Sequence, residues 1–209
     1  MTIIFGASGH ARELAYILRR LAKTGIAVDY FIDNTGFGNL TGTPVLNEDA
    51  LIAHLLADSM PVSAYVGIGS NQIRAAIIRK FQSFGHLRFP NLIDDTVAGD
   101  FDRLTMGEGN VLFPTVQLTT DSCLGNHNHC NLGVSISHDC QLGDFNTLSP
   151  GVRLAGGVQL GSHNFLGIGA SVIDKVTIGD HVIIGAGAVV TNNLLEKGTY
   201  VGIPARKIK

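Results

Sequence analysis

From Met106 to Val190 every sixth residue is apolar: Met106, Leu112, Leu118, Leu124, Cys130, Ile136, Leu142, Leu148, Leu154, Leu160, Leu166, Val172, Ile178, Ile184 and Val190. No insertion breaks the phase. The residue after each inward position is usually small, as at Gly107, Gly125, Gly143, Gly161 and Gly179, and two residues before it the chain is again small or β-branched, as at Val134, Val152, Ala170 and Ala188. A helix repeats every 3.6 residues and a strand every two, so a period of six fits neither alone. It is the mark of a parallel β-helix, in which each hexad supplies one short strand and one turn. The large apolar residue points into the tube, and the small residue after it is expected to turn the corner. Three hexads close a triangular coil of about 18 residues, and the run gives about five coils, roughly 24 Å tall at ordinary strand spacing. On that lattice Asn128, Asn146 and Asn164 form one column, where stacked amides satisfy one another, and His127, Phe145, His163 and His181 form another.

The first half of the chain alternates differently. Thr2–Phe5 reads as a strand, Gly6-Ala-Ser-Gly-His10-Ala11 as a turn, and Leu14, Ile17, Leu18 and Leu21 as the apolar stripe of a helix ending near Gly25. A second strand, Val28–Ile32, ends on Asp33-Asn34. A glycine-rich loop continues to Pro44, and Asn47 caps a helix over Glu48–Ala57. A third strand, Ser63–Ile68, ends at Gly69-Ser70-Asn71 and leads into a helix over Gln72–Phe84. This order predicts an α/β domain over residues 1–89, with a small parallel Rossmann-like sheet, followed by an all-β parallel β-helix with a C-terminal tail over 90–209. Pro90 and Asp94-Asp95 mark the boundary.

Three polar βα turns then share the carboxyl edge of the sheet, where open α/β sheets bind ligands. The first helix offers N–H groups to a phosphate, and Asp33 is placed for a ribose hydroxyl or a base edge. Ser8, Gly9, His10, Asp33, Asn34 and Gly69 are therefore candidate substrate-binding residues; the alternative is that Gly6-x-Ser8-Gly9 is only a tight turn.

Composition narrows the classes. The chain has 209 residues, 45% of them hydrophobic, and a formal net charge of −2, which argues against a nucleic-acid binder. No apolar run reaches the ~18 residues of a membrane span, and Met1–Phe5 leads straight into glycine rather than forming a signal peptide. Three clustered cysteines suit a reducing cytosol better than a disulfide framework, so a cytoplasmic location is expected. Cys123, His127, His129, Cys130, His138 and Cys140 resemble a zinc set in composition. The lattice, however, turns Cys130 inward, puts Cys140 among the small residues, and turns the neighbouring histidines outward, so no metal is expected. A dehydrogenase would need a Tyr-x-x-x-Lys pattern that the chain lacks.

His127, His163 and His181 occupy the recurring turn position, which predicts residues on a solvated corner. His138 does not. It lies two residues after inward Ile136, and its column mates are Thr120, Gly156 and Asp174, small neighbours that leave room for a ligand.

Gly6-Ala-Ser-Gly-His10-Ala11, Phe31-Ile-Asp33-Asn34, Val66-Gly-Ile-Gly69-Ser-Asn-Gln-Ile-Arg74, the hexads and Gly202-Ile-Pro204-Ala205-Arg206 together resemble the left-handed β-helix acetyltransferases that modify bacterial surface sugars. These include UDP-4-amino-sugar N-acetyltransferases and sialic acid O-acetyltransferases. The resemblance covers almost the whole chain and implies left-handedness, a homotrimer, a nucleotide-activated amino sugar on the N-terminal domain, and acetyl-CoA in the groove between prisms. His138-Asp139-Cys140-Gln141-Leu142-Gly143 matches the family motif His-(Glu/Asp)-Cys-x-(Ile/Leu)-Gly, whose histidine is the catalytic base. By the same pattern Thr147, Ile168 and Ala186 line the CoA groove, although some relatives carry histidine at the first place and glycine at the last. Arg206, Lys207 and Lys209 either meet CoA phosphates or form a solvated basic tail.

The chemistry agrees with the resemblance. Acetyl transfer from a thioester needs a deprotonated nucleophile, and imidazole accepts a proton near neutrality. Asp139 can hold the ring, provided the chain bends between the two residues. The oxyanion is expected to meet a backbone N–H that sequence does not pick. The reading is N-acetylation of a nucleotide-linked 4-amino deoxysugar, with sialic acid O-acetylation and a non-catalytic trimeric scaffold as alternatives.

Overall fold

Ile3, Ile4 and Phe5, each at most 1% exposed, make β1 (Thr2–Phe5) a fully buried strand, as a continuous apolar run requires between two parallel neighbours. The computed structural model describes residues 1–21, 27–35 and 38–209. They fall into two compact units, Met1–Leu92 and Ile93–Lys209.

In the first unit β1 pairs in parallel with β2 (Tyr30–Ile32) through Ile4↔Phe31 and with a later strand, Val62–Val66, through Ile4↔Tyr65. Helix α1 (Gly9–Leu21) buries Ala11, Leu14, Ala15, Ile17 and Leu18; the end expected near Gly25 lies outside the described residues. The supposed loop before Pro44 contains a hairpin, β3 (Gly38–Leu40) and β4 (Thr43–Leu46). Strand β4 also joins β2, through Phe31↔Val45 and Ile32↔Leu46, so that ladder begins one residue after Pro44 and the missing N–H does not interrupt it. Helix α2 (Glu48–Ala57) starts where expected, with Asn47 Oδ1 accepting the Ala50 N–H at 2.8 Å. The strand over Val62–Val66 is β5. Helix α3 (Asn71–Phe81) follows and sets the Phe81 ring 4.9 Å from Phe5, and β6 (Leu87–Arg88) closes the sheet. The strand order is β3-β4-β2-β1-β5-β6, so the direction of winding reverses at β1.

The second unit is a stack of short strands on three faces. The first face carries Gln117–Leu118, Ser135–Ile136, Arg153–Leu154 and Ser171–Val172; the second carries Cys123–Leu124, Gln141–Leu142, Gln159–Leu160 and Thr177–Ile178. The third pairs Leu112, Cys130, Leu148, Leu166 and Ile184 in sequence. The inward positions from Leu112 to Val190 are at most 4% exposed, while Met106, in the first coil, is half-buried.

The chain does not turn at the small residue after each inward position, as expected. It turns two residues later, where the backbone is left-handed: Thr115 φ +63°, Asp121 +55°, His127 +55°, Asp139 +60°, Phe145 +57°, His163 +60°. Such a backbone costs a non-glycine residue about 1–2 kcal/mol. Hydrogen bonds offset that cost. At the corner between the second and third faces, the N–H groups of His127, Phe145 and His163 donate to Glu108, Asn126 and Asp144 carbonyls one coil earlier, each at 2.8 Å. Asn110 Oδ1 accepts the Asn128 N–H, Asn128 that of Asn146, and Asn146 that of Asn164, each at 2.9 Å; Asn164 accepts that of Val182 at 2.7 Å. The column thus begins one coil earlier than the sequence pattern suggested, and it joins side chain to backbone rather than amide to amide.

A second ladder runs the opposite way. Asn126 Oδ1 accepts from Glu108 N–H (3.0 Å), Asp144 Oδ1 from Asn126 N–H (2.6 Å), Ser162 Oγ from Asp144 N–H (3.0 Å) and Asp180 Oδ1 from Ser162 N–H (2.6 Å). This explains the glycines. A Cβ at Gly125 would stand 2.3 Å from Asp144 Oδ1, and one at Gly143 would stand 2.4 Å from Ser162 Oγ. Beside the ladders the rings of His127, Phe145, His163 and His181 stack at 5.0, 5.0 and 4.9 Å. The stack leaves His127 only 6% exposed, not on a solvated corner. His129 is buried too, at 2%, against the expectation that it faces outward.

The period shortens at the end: Ile178 pairs with Leu194 and Ile184 with Tyr200, and the last strand, Arg206–Lys207, runs antiparallel to Gly198–Val201. Replacing Asn146 by alanine strips the buried Asn164 N–H of its acceptor. The expected cost is about 1–3 kcal/mol, seen as a Tm lower by about 3–10 °C, whereas Asn192→Ala on the surface leaves Tm unchanged.

Candidate functional site

In the first unit the carboxyl edge gathers the three turns as expected, and their side chains also bond one turn to the next. Gly6 takes φ +96°, and a Cβ at Gly67 would stand 2.5 Å from Ala11 Cα, so this pair of glycines lets α1 begin hard against the end of β5. Ser8, Gly9 and His10 form the turn and the start of α1. The Asp33 carboxylate is already engaged. Oδ2 accepts the Ala7 N–H at 2.9 Å, and Oδ1 accepts the Thr35 N–H at 2.8 Å and its hydroxyl at 2.5 Å. Burial raises its pKa, but the bonds from Thr35 and Ala7 outweigh burial and hold it below the usual value. Asp33 therefore clasps the first turn to the second. Asn34 Oδ1 accepts the Glu48 N–H at 2.9 Å and ties the same turn to α2.

His10 Nδ1 lies 3.1 Å from the Glu13 carboxylate. Burial lowers its pKa, Glu13 works against burial, and the Arg74 charge adds to it; the net shift is downward. Arg74 closes one of the motifs that carry the resemblance, but the sequence reading gave it no role. It is 1% exposed, Nη1 donates to the Ile68 and Gly69 carbonyls at 3.1 Å each, and burial brings its pKa down to about 9. Its spacing with Ile77, Ile78 and Phe81 on the buried stripe of α3 was the available signal. A cavity of about 330 Å³ opens at this edge. Of the six predicted residues Asp33 and Asn34 line it, together with Gly6, Glu48, Lys80 and apolar side chains from β1 and α3; Ser8, Gly9, His10 and Gly69 do not.

In the second unit the bend required at Asp139 is present as its φ of +60°. It brings Asp139 Oδ2 to 2.8 Å from His138 Nδ1. Both side chains are well exposed, at 63% and 67%. The imidazole leans across Gly156, where a Cβ would stand 2.5 Å from Cε1 and 2.6 Å from Nε2. The room expected from small neighbours is thus filled by the ring itself. Open space of about 400 Å³ lies alongside, bounded also by Gly157, Asp174 and Lys175. Gly157 N–H donates to the His138 carbonyl at 2.8 Å, whereas Gly156 N–H meets no acceptor among the described residues.

The remaining predicted residues are elsewhere. Thr147 is buried on the third face, and Ile168 (62% exposed) and Ala186 follow third-face strands at the corner leading to the first face. His138 stands at the corner between the first and second faces. One chain does not bring the histidine and these three residues together. Cys130 is an inward residue whose thiol burial pushes up to about 12. In the tail, Lys207 Nζ pairs with Glu196 at 2.7 Å. No helix among the described residues is long and apolar enough to cross a membrane.

Residues 2–81 match the family model of the PglD N-terminal domain, and residues 157–192 that of the bacterial transferase hexapeptide (six repeats). No protein of curated function matches the chain. Among solved structures, a mutant of perosamine N-acetyltransferase from Caulobacter crescentus in complex with CoA and GDP-perosamine is 32% identical, with a TM-score of 0.91 over 100% of this chain and 96% of that one. The acetyltransferase domain of PglB from Neisseria gonorrhoeae, in complex with acetyl coenzyme A, is 28% identical, with a TM-score of 0.91 over 99% and 98%. WeeI from Acinetobacter baumannii is 26% identical, with a TM-score of 0.88 over 100% and 99%. With the α/β unit and the stacked hexads matched end to end at this identity, the chain belongs to the left-handed β-helix, hexapeptide-repeat family of sugar acetyltransferases.

Proposed function

We propose that the protein is a cytoplasmic homotrimer that moves the acetyl group of acetyl-CoA to the 4-amino group of a nucleotide-linked deoxysugar. The observation that carries this reading is the His138–Asp139 pair beside an open cleft, with the groove residues on a different corner of the same prism. A second copy is needed to complete such a site. The exposed apolar side chains Leu132, Phe165, Ile168 and Ile183, on the third face and its corner, give that copy a surface to pack on. The Caulobacter relative, an N-acetyltransferase solved with CoA and GDP-perosamine, supports an amine as the nucleophile.

In the proposed reaction the amine lone pair attacks the thioester carbonyl carbon. A C–N bond forms, and His138 Nε2 takes the proton that the nitrogen sheds. Asp139 fixes the tautomer by accepting from Nδ1–H and stabilises the imidazolium. The oxyanion faces the Gly156 N–H, which meets no acceptor among the described residues. The C–S bond then breaks, and the departing thiolate recovers the proton from His138. On the first unit, the N–H groups at the start of α1 receive the diphosphate, in a turn held by Asp33.

His138→Ala is expected to remain trimeric by light scattering while acetyl transfer falls by about 10²–10⁴-fold; full turnover by that trimer would leave only a scaffold. Gly156→Ala places a methyl group in the space of the imidazole, so kcat should collapse with Tm little altered. The Asp33 clasp has a defined pH sense. Because its folded pKa is depressed, its stabilisation is complete above the ordinary carboxyl value of about 4 and is lost as pH falls through the lower folded value. The stability gap between wild type and Asp33→Asn should be constant above about pH 5 and should close on acidification. A gap independent of pH would contradict the clasp.

A further inference from the structure

The cavity at the carboxyl edge of the first unit is apolar on its walls, where Phe5, Ile32, Ile68, Ile73 and Ile77 meet, and polar at Asn34, Glu48 and Lys80. Its charges are the carboxylates of Asp33 and Glu48 against one ammonium, so it is a poor place for phosphate and a good one for a flat, uncharged ring. Asp33 already accepts three hydrogen bonds. Glu48 is the carboxylate with acceptor capacity to offer. It stands in the first turn of α2, its backbone N–H held by Asn34 Oδ1 at 2.9 Å, and its side chain is 20% exposed and ion-paired with Lys80. Both ends of the residue are therefore fixed, and an acceptor sits next to a cationic donor.

We infer that this cavity takes the nucleobase and that Glu48 selects guanine. The inference rests on the nucleotide-sugar reading of the first unit and goes beyond it by naming the base. Guanine presents N1–H and the 2-amino group as adjacent donors, with the O6 acceptor beside them. A carboxylate is acceptor-only and takes both donors at once, and the Lys80 ammonium next to it complements O6. Uracil and thymine present acceptor, donor, acceptor. A carboxylate opposite their N3–H sets its second oxygen against a carbonyl oxygen. Adenine places an unprotonated ring nitrogen where guanine has N1–H and meets the same repulsion. A mismatch of this kind leaves polar groups desolvated without a partner, and that rejects the wrong base more strongly than lost contact area does.

Calorimetric titration of the full chain with GDP, UDP, dTDP and ADP, without acetyl-CoA, tests this. GDP should bind at least about tenfold more tightly than the other three. Glu48→Gln, which offers one acceptor and one donor, should bring the GDP-to-UDP ratio close to one through weaker GDP binding, with UDP affinity little changed. A pyrimidine diphosphate that binds as tightly as GDP overturns the base assignment, and a GDP preference that survives Glu48→Gln overturns the role of Glu48; both leave the nucleotide-sugar reading standing. Failure of all four diphosphates to bind overturns the nucleotide-sugar reading itself. If Glu48→Gln does not fold, the wild-type panel alone decides.

Discussion

The second unit depends on satisfying backbone N–H groups at left-handed corners. A strand buries its donors in the ladder, but a corner points them where no strand lies. Here the residue one coil away supplies the acceptor: Asn110, Asn128, Asn146 and Asn164 in one direction, Asn126, Asp144, Ser162 and Asp180 in the other. Each bond is worth on the order of 1 kcal/mol net, comparable with the cost of a left-handed non-glycine residue. Together they make an 18-residue coil the one that closes. An inserted residue would move every acceptor off its donor and every inward side chain to the wrong side.

That fixed register also gives the site its precision. Gly156 lies under His138 because it comes one coil later, and only a glycine there leaves the imidazole its place. Asp139 reaches Nδ1 because it occupies the left-handed position of its own hexad. Structural demands and the proposed chemistry thus fall on the same short segment. The first unit works differently: its first two turns are joined by one carboxylate, Asp33, and Arg74 bonds the carbonyls that open the third turn.

Much of this was legible from residue order. The six-residue period placed Leu112 to Val190 inward, and Asn47 placed the start of α2. The turning residue was not legible, because small residues after the inward positions suggested a bend there. They are small instead to admit Asp144 or Ser162 from the next coil. The β3–β4 hairpin hid behind glycine and Pro44, which propensity scores against strands. The burial of His127 comes from a ring stack that residue type alone does not announce. The part Asp33 plays in joining two turns was not legible, since an acid at a strand end looks the same whether or not it also accepts its neighbour's amide. The Gly156 N–H, which meets no acceptor among the described residues, belongs to a backbone and leaves no trace in side-chain identity.

The reversed strand at the end of the third face has a wider meaning. A column of parallel strands presents at its last rung the same row of unsatisfied amides and carbonyls that it uses internally, and so invites another molecule to continue it into a fibre. Arg206 and Lys207 pair there in the opposite sense, on the outermost strand and after a coil already too short to repeat. Parallel growth on that face meets a strand of the wrong polarity.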